Sequence, residues 1–79
     1  MDFTLIKRTC ENEFCYKLLK SNFYRNHYVI IAQSKTDFSC GSIKAKKETA
    51  IALFDEIAQG LTEPHTLSDI LSDFNKERV

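Results

Sequence analysis

Apolar residues alternate with polar ones up to about residue 43 and then recur at three- and four-residue intervals, so the chain predicts strands first and helices second. Residues 3–8 carry Phe3, Thr4, Leu5 and Ile6, and residues 13–20 alternate Phe14, Tyr16 and Leu18 against Cys15, Lys17 and Leu19. Cys10, Glu11 and Asn12 form the short polar connection expected of a hairpin. A third strand over 27–35 holds the β-branched run Val29, Ile30 and Ile31, which suits a buried central position, with 21–26 as its turn. Residues 38–43 are balanced between a short edge strand and a turn, because Asp37, Ser39, Gly41 and Ser42 are turn formers. The period then changes. Ala50, Leu53, Phe54, Ile57 and Leu61 share one helical face over 45–59 and just beyond, with Gly60 expected as a left-handed stop and Pro64 opposing continuation. A second helix is expected over 67–75, started by Thr66 with Asp69 reciprocating as a capping box, its stripe being Leu67, Ile70, Leu71 and Phe74. The expected fold is α+β: a three-stranded antiparallel meander, or a four-stranded one, followed by two amphipathic helices, βββ(β)αα, in a single domain over residues 1–79.

Strand alternation makes both sheet faces apolar. Tyr28, Ile30 and Ala32 point one way and Val29 and Ile31 the other, as do Phe14, Tyr16 and Leu18 against Cys15 and Leu19, and Phe3 and Leu5 against Ile6. Two helices on one face leave the other open, so either the helices lie on opposite faces or a partner covers one of them. The expected partner is a second copy, giving a homodimer, or another protein. Phe14, Tyr16 and Tyr28 are candidate contact residues, and Lys7, Arg8 and Lys35 candidate edge guards.

Composition narrows the function classes. A chain of 79 residues with 43% hydrophobic and 28% charged side chains supports one small core and leaves little room for a catalytic cleft, so an enzyme is not expected. No run approaches the ~20 apolar residues of a membrane span. The start MDFTLIKRT lacks the apolar run of a signal peptide, which favours a cytoplasmic setting. Net charge is zero, which disfavours nucleic acid as a general partner. It divides, however, into +5 over residues 1–47 and −5 over 48–79, a balance that reads as complementarity between the strand and helix layers.

Few residues offer specific chemistry. In the turn SNFYRN, Phe23, Tyr24 and Arg25 mix aromatic and cationic groups suited to stacking or anion capture, although Phe23 is expected to pack beneath the turn. Lys44, Lys46 and Lys47 oppose the dipole at the start of the first helix, where an anion would relieve them; this is a weak anion-site candidate and the route to the alternative reading, a small-ligand or nucleic-acid binder using the basic half. Cys10, Cys15 and Cys40 are expected as free thiols, with Cys15 a small buried hydrophobe, and no metal spacing links them to His27 or His65. His27 is expected half-exposed on a strand and His65 in the loop before the second helix. No catalytic residue, cofactor or metal is assigned.

The stretch KKETAIALFDEIAQGLTEPHTLSDILSDF resembles the C-terminal half of a family of short Firmicutes proteins of unknown function. The resemblance rests on Pro64, Leu67, Asp69, Ile70, Asp73 and Phe74, and extends weakly through YVIIAQSK. It implies a strand-rich first half, a proline-led final helix and a small bacterial cytosolic protein, and it assigns no activity.

Overall fold

The computed structural model describes the backbone of residues 2–60 and 63–77, and all of their side chains but 65, 76 and 77. Four strands form one antiparallel sheet in chain order: β1 (Phe3–Glu11), β2 (Phe14–Ser21), β3 (His27–Gln33) and β4 (Phe38–Lys44). Two helices follow, α1 (Lys47–Gln59) and α2 (Pro64–Glu77), so the α+β meander is the observed architecture and the fourth strand is formed. The predicted Leu61 on the apolar face of α1 lies outside the described residues.

The first hairpin runs further than expected. Cys10 and Glu11 belong to β1, and the turn is the two residues Asn12 and Glu13. Asn12 adopts φ 57°, and so does Asn26 before β3; asparagine tolerates this left-handed region better than other chiral residues. Cys10 and Cys15 face each other directly across the ladder and are joined as a disulfide, which corrects the expectation of free thiols; Cys40 is free. A bulge between Leu5 and Lys7 brings Ile6 against the core and turns Lys7 towards α1, where its Nζ meets Asp55 Oδ1 at 2.6 Å.

Both helices lie on the same sheet face, α1 over β2 and α2 along β4. Tyr16, Leu18, Tyr28, Ile30, Ala32 and Ile43 supply the sheet side of the core, and Ala50, Phe54, Ile57, Leu67 and Leu71 the helix side. Burial of side chains such as Leu18, Ile30 and Phe54 contributes about 1.5–3 kcal/mol each relative to leaving them in water. Gly41 allows α2 to approach β4: a Cβ there would lie 2.5 Å from Leu71 Cδ1. The Asn75 amide closes the same seam by donating to the Ser42 carbonyl.

Two helix boundaries differ from the sequence reading. Pro64 is inside α2, so His65 is helical rather than in a loop, and Thr66 does not act as a cap. Its hydroxyl donates instead to the Glu63 carbonyl at 2.8 Å. Proline fits the first helical turn because its fixed φ is already helical and its missing N–H would have had no partner there. Gly60 closes α1 with φ −79°, a right-handed rather than a left-handed end. The molecule measures 32 × 29 × 18 Å, the short dimension being that of one sheet and one helix layer.

Candidate interaction face and basic cleft

With both helices on one side, the opposite sheet face is uncovered, and the strand register lays it out in rows. Leu5, Leu19, Val29 and Ser42 form one row across β1 to β4; Arg8, Lys17, Ile31 and Cys40 form the next; Cys10, Cys15, Gln33 and Phe38 form the third. Leu5 is 52% and Phe38 64% exposed, while Leu19, Val29 and Ile31 are half-buried by their neighbours alone. Arg8 and Lys17 stand directly opposite one another, a like-charge pair that costs stability unless an anion lies between them. Among the described strand residues none on this face is an aspartate or glutamate, and Lys44, paired with His27, adds a further cation at its end.

The basic residues converge further at the end of the sheet where the β2–β3 turn meets the start of α1. Ser21 shapes this turn: its buried Oγ accepts the N–H groups of Phe23 and Tyr24, both at 3.2 Å. The Asn22 N–H donates to the Asp2 carbonyl, and the Ala45 N–H to the Asn26 carbonyl at 2.8 Å, which brings the start of α1 beside the turn. Between them lies a cleft of ≈ 430 Å³ whose lining includes Lys20, Phe23, Tyr24, Arg25, Asn26 and Lys47. No carboxylate lines it among the described residues. A second cleft of ≈ 390 Å³, lined by Tyr24, Arg25, His27 and Lys44, opens on the other side of Arg25, beside the uncovered face. The Tyr24 ring meets His27 edge-on at 5.9 Å.

The structure therefore joins two groups that the sequence kept apart. Phe23, Tyr24 and Arg25 share one cleft with Lys47, while Lys44 belongs to the other and Lys46 is exposed at the N-cap of α1. Phe23 is 71% exposed, so it does not pack beneath its turn as expected. Tyr16 and Tyr28 are removed from the candidate contact residues: they are 0% and 2% exposed beneath the helices, and Phe14 is half-buried against the same core. Burial pushes the Tyr16 hydroxyl above its ordinary pKa of 10.0. Of the suggested edge guards, Lys35 is in the β3–β4 turn and Lys7 is engaged by Asp55, leaving Arg8 on the open face.

The like-charge pair Arg8/Lys17 was missed because its recognition needs the register of the hairpin. Among the described residues, no three histidine, cysteine, aspartate or glutamate side chains gather as a metal site, and no helix is long and apolar enough to cross a membrane. Comparison with protein-family models, with curated proteins and with solved structures gives no match for this chain.

Proposed function

We propose that this chain is a protein-interaction module whose uncovered sheet face docks on another protein, one presenting apolar side chains among carboxylates. The observation that carries this reading is the placement of both helices on one face, which leaves Leu5, Leu19, Val29 and Ile31 beside the opposed Arg8 and Lys17. Four strands about 4.8 Å apart and about seven residues long at about 3.3 Å each present a face of roughly 450 Å² before side-chain relief, enough for a small, transient interface. Its charge selects the partner. Two copies stacked face to face bring Arg8, Lys17 and Lys44 together without a compensating acid, whereas an acidic partner relieves the Arg8/Lys17 pair. The homodimer expected from the apolar pattern is thus the less favoured occupant. The resemblance to short Firmicutes proteins gives no residue a role, and the reading rests on the face alone.

The test is photo-crosslinking in cells with a photoreactive phenylalanine at Leu19, Val29 or Ile31, and at exposed Ala52 on α1 as the reference. A discrete crosslinked protein is expected from the sheet positions and not from Ala52, and it should disappear with Arg8→Glu together with Lys17→Glu. A product at twice the chain's mass would replace the acidic partner with a second copy. Equal labelling from Ala52, or no product from the sheet, would overturn the reading.

A further inference from the structure

We propose that the cleft between the β2–β3 turn and the start of α1 binds a nucleoside phosphate, either a free nucleotide or the terminal nucleotide of a single strand. This inference is independent of the open sheet face. Its first support is charge: Lys20, Arg25 and Lys47 come from the end of β2, the turn and the first residue of α1, and they meet around a cleft with no lining carboxylate among the described residues. Cations gathered from three segments repel one another, and a bound phosphate reverses the sign of that interaction. Its second support is the pair of large aromatic groups beside them. Phe23 and Tyr24 are 71% and 69% exposed, on a turn whose backbone is held by the two N–H bonds to Ser21 Oγ, so both rings remain open to a planar base beside the cations. Asn26, also a lining residue, has a side-chain amide with both a donor and an acceptor for a base edge.

The volume agrees: ≈ 430 Å³ lies in the range of small-molecule sites. The start of α1 adds to the same field, since no side chain caps it and Lys46 and Lys47 stand where the dipole favours an anion. The cations and aromatic rings carry the inference; the helix terminus reinforces it. A bare anion would use the cations and leave both rings in water, whereas a nucleotide uses both.

The test is a ¹⁵N-resolved NMR titration of the whole protein with magnesium-free ATP, inorganic tripolyphosphate, adenosine and a 5′-phosphorylated hexa-adenylate. ATP should shift the amides of residues 22–26 and 47–49 with a dissociation constant at or below about 1 mM. Tripolyphosphate and adenosine should each bind at least about tenfold more weakly, because each satisfies half of the site. Arg25→Ala with Lys47→Ala should weaken ATP by about tenfold or more, and Phe23→Ala with Tyr24→Ala should bring ATP to the affinity of tripolyphosphate. All four positions are exposed, and unchanged amide dispersion away from the turn confirms that each variant is folded. Hexa-adenylate binding at least about tenfold tighter than ATP identifies the source as a single strand, and equal or weaker binding identifies a free nucleotide. Equal affinity for ATP and tripolyphosphate, shifts centred on the open sheet face, or no shift at about 1 mM ATP would overturn the proposal.

Discussion

Gly41 shows how one missing side chain positions an element. It pairs with Ile30 on the helix-facing side of β4, and the space its Cβ would occupy is taken by the end of Leu71 from α2. Gly41→Ala asks only a flexible leucine to turn aside, so its cost should be small. Gly41→Val adds two more methyl groups and should destabilise the fold by about 1–3 kcal/mol, read as a lower urea midpoint at unchanged slope. Tyr16 makes a second prediction at this scale. Because burial raises its pKa, the folded chain holds the phenolic proton more tightly than the unfolded one does. Full stability is therefore kept below pH 10.0 and is lost as pH rises from there through the higher folded value. Thermal unfolding followed between about pH 8 and 11 should show that decline, with Tyr16→Phe giving a shallower one.

Among the elements, the β1–β2 hairpin is the most heavily constrained. The Cys10–Cys15 bond closes a loop with a sequence separation of 5, opposite residues that the two-residue turn already brings together. The loop-entropy relation gives about 2 kcal/mol for so short a closure, and the turn reduces the share left to the bond. Cys10→Ser with Cys15→Ser should therefore lose up to about 2 kcal/mol in denaturant unfolding, and a reducing agent should do the same to the parent chain while leaving the double variant unmoved. The sequence displayed this hairpin only in outline. Its strands followed from alternation, but reading Cys10, Glu11 and Asn12 as the connection shifted the turn, and without the true register neither the cysteine pair nor the opposed Arg8 and Lys17 could be seen. The helices repeat the lesson. Their apolar stripes were plain, whereas Pro64 was read as a barrier although the first turn is where proline fits. The side on which they lie was open to inference from linker length: four residues between Gln59 and Pro64 span at most about 18 Å across five Cα steps, too little for successive helices to reach opposite sides of a sheet about 20 Å apart.

At the scale of the whole molecule, the division into a +5 first half and a −5 second half takes on a different meaning. Among the described residues, Lys7 and Asp55 form an ion pair between the layers; their side chains are 43% and 35% exposed, and a pair so wetted contributes about 0–1 kcal/mol. Arg8, Lys17 and Lys44 instead sit on the face away from the helices, and Lys20, Arg25 and Lys47 line the cleft at the sheet's end. These cations are thus turned outward, and the fold and the proposed binding should respond differently to salt. Between about 0.05 and 0.5 M sodium chloride the unfolding free energy should change by less than about 1 kcal/mol, because the core is apolar and the layer-bridging ion pair is exposed. Over the same range ATP affinity should fall by at least about tenfold, since three cations meet the phosphates through solvent-exposed contacts. Unfolding and titration measured on one sample series separate the two effects. A fold that weakened in step with binding would instead make the charge division an attraction between the layers.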